Sequence, residues 1–315
     1  MLALTGDDAD PYTEEEAKPR TRSAPHGRAV HKVAAPEPMP RHLPSWLIPR
    51  HRKGPALQRM LPVLRRCGVS TICEAARCPN VGECFGAGTA TFLILGDVCT
   101  RRCTYCAVGH GATAPPDPSE PARVARAARE LGLDYVVITS VTRDDLPDGG
   151  AGHFAATVRA LREALPGARV EVLVPDFLGD EHALALVAEA RPEVFAHNVE
   201  TAPRLYPQVR PGADYSRSLA LLEAAAQAGL RTKSGAMLGL GEDVAEVREM
   251  MRDLAGAGVS MLTLGQYLQP TRRHRAVARY IEPREFAALE RAATAMGFAE
   301  VKAGPLVRSS YLAGH

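Results

Sequence analysis

Aromatic residues make up only 5% of this 315-residue chain, with a single tryptophan. A surface that stacks unpaired bases needs aromatic faces, so this scarcity, with a formal net charge of only +2, argues against a nucleic-acid partner. Long apolar runs are missing as well: none approaches the roughly 20 residues of a membrane-spanning helix. The opening stretch MLALTGDDADPYTEEE turns acidic too early for a secretory or mitochondrial presequence. The expectation is a cytoplasmic protein with no membrane and no nucleic-acid partner. Cysteine is scarce too, seven in all. Disulfides are rare in a reducing cytosol, so cysteines that cluster there point to metal ligands or catalytic thiols.

What is present is enough for a globular protein, since 46% of residues are hydrophobic. Residues 1–45 combine repeated proline and charge with few large apolar side chains, a composition that buries too little surface to offset the entropy of ordering. A disordered or extended tail is predicted over 1–50. Between Arg20 and Lys53 it holds eight Lys or Arg against one acidic residue, Glu37, which reads as a solvated tail or as a contact for an acidic partner.

From residue 90 apolar, β-branched runs alternate with Ala/Leu/Arg/Glu stretches of helical period. Strands are predicted at 90–95, 135–139, 169–174, 193–198, 232–238 and 260–265, with helices near 120–131, 152–165, 181–190, 216–228 and 243–257. Serial β–α units mean a parallel sheet, either a full or partial barrel or an open doubly wound sheet. Both architectures put functional groups at the C-terminal ends of the strands, which is where the polar and Gly-rich segments TRRC, TSVTRDD, HNVET, GLGE and GQYLQP lie.

The loop after the first strand reads Cys99-x3-Cys103-x2-Cys106. Three thiolates from one loop can hold three irons of a cubane iron–sulfur cluster whose irons ordinarily take four. The remaining iron then offers an open position for a substrate or cofactor. Zinc, the competing reading, favours four ligands in paired spacing. Upstream lies a second set, Cys73-x4-Cys78-x5-Cys84. A second cluster accounts for it, with a fourth ligand not evident from local spacing. Cys67 is the one cysteine left over, either that ligand or a small buried apolar residue ending the helix ALQRMLPVLRRCG.

The Cys-x3-Cys-x2-Cys spacing, with Tyr105 before its last cysteine, resembles the signature of the radical S-adenosylmethionine superfamily. The two triads joined by GTATFLILGDVCTRRC, followed by VITSVTRDDLPDGGA, EVLVPDF, HNVETAPRLYPQVR, TKSGAMLGLGE, LTLGQYLQPT and GPLVRSSY, resemble the lipoyl synthase family. The first 50 or so residues carry no such match. The resemblance implies an α/β fold, a partial (β/α)6 TIM-like barrel over 90–270. An N-terminal extension (51–89) and a C-terminal helix and tail (271–315) would carry an auxiliary cluster.

It implies two [4Fe–4S] clusters and S-adenosylmethionine as cofactors, and a sulfurtransferase that inserts two sulfur atoms at C6 and C8 of an octanoyl chain on a lysine. The implied partners are octanoylated lipoyl-domain proteins, E2 subunits and the glycine cleavage H protein among them. An electron donor such as ferredoxin or flavodoxin and an iron–sulfur carrier protein complete the set. Cys99, Cys103 and Cys106 would hold the first cluster; Cys73, Cys78, Cys84 and Ser309 of RSSY would hold the second, which is consumed as sulfur donor. Tyr105, Gly149, Gly150, Asn198, Glu200, Gly239 and Glu242 are the implied cofactor contacts. Lys233 is expected to face a cofactor carboxylate, Arg308 to position Ser309 or a cofactor carboxylate, and Arg101 and Arg102 to line the surface around the cluster. Two other readings remain to be weighed: another radical sulfur-inserting enzyme, acting on dethiobiotin or tRNA, and a two-cluster electron carrier. The carrier needs four cysteines per cluster and no series of βα units.

Overall fold

Alternation of β-branched runs with helical segments is realised in a computed structural model that describes residues 43–48, 55–76 and 78–315. The tail expected over 1–50 falls almost entirely outside the described residues. Helix α1 (Pro55–Cys67) leads to a short edge strand β1 (Ser70–Thr71), then to α2 (Ile72–Ala75), which carries Cys73, and α3 (Val81–Gly86), which carries Cys84, with Cys78 between them. Strand β2 (Ala90–Ile94) opens the parallel series. The two-residue strands β3 (Val98–Cys99) and β4 (Gly109–His110) pair at the base of the cysteine loop. Next come α4 (Glu120–Glu130), β5 (Tyr135–Ser140), α5 (Ala151–Ala164), β6 (Arg169–Leu173), α6 (Glu181–Glu189) and β7 (Val194–Ala196). The chain continues through α7 (Tyr206–Val209), α8 (Tyr215–Gln227), β8 (Thr232–Leu238), α9 (Val244–Gly256), β9 (Met261–Gln266), α10 (Pro283–Ala295) and β10 (Glu300–Gly304).

The main sheet has the order β1-β2-β5-β6-β7-β8-β9-β10, parallel throughout except for the antiparallel β1. Each new strand is laid beside the last and the order never reverses, so the sheet is wound in one direction. That is the barrel topology, and it excludes the doubly wound alternative, whose order reverses at a switch point. All six predicted parallel strands are present within two residues of their expected limits.

A seventh, β10, was not expected. Its sequence EVKAG has one β-branched residue and reads as loop, yet it pairs with β9 from Glu300 to Gly304. Its place at the sheet edge explains the charged residues, which discourage further strand addition. The segment after 270 therefore completes the sheet.

One face of the strands packs on the helices. Val136, Ile138, Val170, Val172 and Phe195 meet Phe154, Val158 and Leu161 of α5 in the larger core, and Leu262 and Leu264 meet α9 and α10 in a second one. The alternate residues, Tyr135, Val137, Thr139, Glu171, Lys233, Gly235, Thr263 and Gly265, face the concave side, as the period of two requires. Helix starts are well capped: Asp180 and Asp214 accept backbone N–H bonds, and Asp243 with Glu246 forms a capping box at α9.

Candidate active site

Three thiols reach the mouth of the sheet because their loop is stitched to its neighbours. Thr100 N–H donates to the Thr142 carbonyl (3.0 Å), Thr104 N–H to the Val209 carbonyl (2.9 Å), and Arg275 N–H to the Thr104 carbonyl (2.9 Å). A ring nitrogen of His274 lies 2.9 Å from the Cys106 carbonyl oxygen. Arg101 was expected at the surface. Instead it is buried and clamps two loops, with bonds to both oxygens of Asp144 (2.7 and 2.9 Å) and of Asp176 (3.0 and 2.6 Å). A planar guanidinium suits this bidentate role. Arg102 is exposed.

Beside the loop lies a cavity of about 160 Å³ lined by Cys99, Cys103, Cys106, Tyr105, Ser140, Asn198, Glu200 and Arg210, among others. Burial pushes the Cys106 thiol up to about 11, with Cys103 and Cys99 adding to it, and also raises Cys103 against the opposing pull of Arg210. As bare thiols these are weak nucleophiles; as metal ligands they would be deprotonated outright. Glu200 sits at a φ of 67° and receives a bond from Asn198 Nδ2 (3.0 Å). Burial raises its carboxyl, offset by Arg210, Asn198 and Arg308. Ser140 Oγ and Arg210 Nε are buried without a hydrogen-bond partner among the described residues. Unpaired polar groups around three thiols fit a cluster and a polar cofactor that supply the missing bonds.

The second triad is gathered together in its own right, Cys73 lying near both Cys78 and Cys84. Burial pushes the Cys73 thiol up to about 12, with Cys78 and then Cys84 adding negative charge, while bonds from Thr91 oppose the rise. Cys84 is buried and near the Leu312 backbone, and Arg308 feels Cys78 and Glu200. Among the described residues Arg308 makes its hydrogen bond to the Val307 carbonyl (2.7 Å) and has no ion pair. A partly buried cation beside three thiols fits an anionic cluster. No three His, Cys, Asp or Glu side chains among the described residues converge on one ion. A cubane does not ask them to, since each thiolate takes a different iron. Ser309 Oγ donates to Asn198 Oδ1 (3.0 Å), so the C-terminal serine meets a residue lining the first cavity.

Other expected contacts are outside this cavity's lining. Lys233 does not face a cofactor carboxylate: it stands at the start of β8, at the floor of the sheet, and its Nζ is bound to buried Glu171 (2.9 Å). Tyr135 Oη completes this group, donating to Glu171 at 2.7 Å. Gly149 and Gly150 are outside the cavity lining; their φ values of 59° and 93° and contacts with Phe177 and Leu95 make them a tight turn into α5. Glu242 binds the N–H groups of Gly239 and Leu240, closing its own loop outside that lining. Cys67 is buried against Leu64 and Val124 in the core, its thiol 3.8 Å from Glu130. Sequence reasoning missed Arg210, which donates to the Asn198 and Val199 carbonyls (2.9 and 3.1 Å). Nothing local in YPQVR marks that arginine as buried.

A one-way βα sheet with a Cys-x3-Cys-x2-Cys loop over a polar cavity defines a radical S-adenosylmethionine protein, and the Radical SAM superfamily model matches residues 93–254. Similar solved folds include Streptococcus suis SuiB bound to its precursor peptide SuiA (TM-score 0.55, 12% identity, 78% of this chain and 52% of that one). Methylornithine synthase is another (TM-score 0.52, 15% identity, 76% and 80%). Over nearly its whole length the chain is 54% identical to the lipoyl synthase of Methylococcus capsulatus (95% of each chain) and 51% identical to that of Acidithiobacillus ferrooxidans (96% of each). It belongs to the lipoyl synthase family.

Proposed function

We propose that this chain makes lipoyl groups by inserting sulfur at C6 and C8 of an octanoyl chain amide-linked to a lysine of a lipoyl domain. Its cofactors are S-adenosylmethionine and two [4Fe–4S] clusters. Cys99, Cys103 and Cys106 would hold the first cluster, and Cys73, Cys78, Cys84 and Ser309 the second. When bound, these groups supply the one-electron chemistry that removes hydrogen from an unactivated C–H bond, and the sulfur that replaces it.

The chain's own residues do the rest. The Arg101 clamp and the bonds from Thr100, Thr104 and Arg275 fix the cysteine loop. Asn198 and Glu200 would offer polar groups to the cofactor's ribose and methionyl end, and Ser140 and Arg210 would complete a cavity in which reactive carbon is kept from water. The observation that carries the reading is Asn198, which lines the first cavity and receives the Ser309 hydroxyl, so that the two sites adjoin. Two separate electron-carrying clusters would have no need of a shared polar residue or of an oxygen ligand. A hydroxyl oxygen pairs less well than thiolate with a soft centre, so the iron it holds is the one most readily lost.

The proteins carrying the octanoyl chain would be E2 subunits or the glycine cleavage H protein, with a ferredoxin or flavodoxin as reductant and an iron–sulfur carrier rebuilding the second cluster. A cytoplasmic setting suits these partners, and no helix among the described residues is long and apolar enough to cross a membrane. The test is anaerobic reconstitution with iron and isotopically labelled sulfide, followed by octanoylated lipoyl-domain peptide, S-adenosylmethionine and reductant. Mass spectrometry should show singly and then doubly thiolated peptide carrying the label. Deoxyadenosine without thiolated peptide would mean that the radical machinery is right and the substrate wrong.

A further inference from the structure

The C-terminal tail carries the serine, and its path is set by contacts on both edges of the sheet. After β10 the chain turns at the mouth, where Asn80 Nδ2 binds the Leu306 carbonyl and the Val307 carbonyl presses on Gly265. It then descends along the concave face: Ser309 meets Asn198, Leu312 meets Cys84, and Ala313 packs on Tyr135 and Val137. Gly314 lies against the Tyr135 ring so closely that a Cβ would overlap it.

Terminal segments ordinarily fray, but residues 312–315 are tied down. Lys302 Nζ donates to the carbonyls of Leu312 and His315, both at 2.9 Å. Arg169 donates to the Gly314 carbonyl (3.0 Å) and Thr89 to the Ala313 carbonyl (3.3 Å). Of these groups Lys302 alone grips the tail at two points, and it projects from the strand that leads directly into it. Its ion pair with Glu300 spans 3.9 Å, longer than either of these bonds, so the ammonium is committed to the tail more than to that side chain.

We propose that Lys302 is a positioning residue for Ser309: by holding both carbonyls at the chain end, it keeps residues 308–312 against Cys78 and Cys84, where the serine hydroxyl completes the second ligand set. The inference rests on the reading of Ser309 as that ligand. A serine on a strand would be rigid, and one on a free tail would be absent most of the time. A tail clamped at its tip holds the ligand in place yet lets it go by a small local shift, as a cluster dismantled in turnover requires.

The test uses the full chain with Cys99, Cys103 and Cys106 replaced by alanine, so that all bound iron reports the second site. After anaerobic reconstitution and a brief mild oxidation, which strips an iron that lacks a protein ligand, iron and sulfide per chain and the electron paramagnetic resonance spectrum are compared for this parent and for added Lys302→Met, Lys302→Arg and Ser309→Ala. Lys302→Met and Ser309→Ala should each fall from about four irons to about three, with the signal of a three-iron cluster, while Lys302→Arg keeps four. A chain ending at Tyr311, which retains Lys302 but lacks its acceptors, should also hold three. Four irons in Lys302→Met or in the shortened chain, with three in Ser309→Ala, would overturn the role of Lys302 and leave the serine reading standing. Four irons in Ser309→Ala would overturn both.

Discussion

Arg101 and Lys233 are both buried cations, and each binds a carboxylate that has no access to water, Asp176 and Glu171 respectively. Arg101 has 6% side-chain exposure and Asp176 has none. Despite the cost of burial, hydrogen bonds from Arg101 hold the Asp176 carboxyl below its ordinary range. Replacing Arg101 by methionine strands that charge, with only Arg217 at 3.2 Å to compensate. We expect a loss of about 3 kcal/mol in chemical denaturation, near the lower end for a broken buried pair. Lys233→Met should cost a similar ~3–5 kcal/mol by stranding Glu171, and Lys233→Met with Glu171→Leu should recover most of it. Since Lys233 sits at the floor, the KM for S-adenosylmethionine in the double variant should match that of the unaltered protein. A tenfold rise would return Lys233 to the cofactor site.

At the scale of elements, the turn before α5 shows the backbone demand behind a glycine-rich motif. In the DGG segment Gly150 has a φ of 93° and a Cβ there would run into Leu95. Gly150→Ala should destabilise the fold by more than 1 kcal/mol, through both the left-handed backbone and the overlap, as a shifted thermal midpoint will show. The six buried parallel strands and their helices were legible because burial on both faces writes a continuous apolar run. β10 was not, because an edge strand needs no such run, and EVKAG owes its conformation to β9. Both cysteine triads were legible as motifs, since ligand spacing is local. Arg101, Arg210 and Lys233 were not placed, because what an arginine or lysine pairs with is decided by groups distant in sequence, such as Asp144, Asp176, Glu171 and the carbonyls of 198–199.

For the molecule as a whole, the buried His197 ties the sheet to α8. Its Nδ1–H donates to the Val174 carbonyl (2.8 Å), leaving Nε2 to accept from Ser218 (3.0 Å). Burial, reinforced by Arg210, pushes it down from 6.5 to about 4. The unfolded chain therefore takes up a proton first, and stability present above pH 6.5 is lost as pH falls toward 4, by about 3 kcal/mol from this group. Asp176, held low, adds loss at more acid pH. Urea titrations from pH 7 to 4.5 should show this decline, with a flatter profile in His197→Gln.

The two ends of the chain bring the second site to the first, and the central claim is that the two sites divide the work. The most direct measurement is anaerobic turnover of octanoylated peptide, with deoxyadenosine and thiolated peptide quantified together in Cys103→Ala, Cys78→Ala and Ser309→Ala. The account predicts loss of both products in Cys103→Ala, and deoxyadenosine without thiolated peptide in the other two. Equal loss of deoxyadenosine in all three would contradict it.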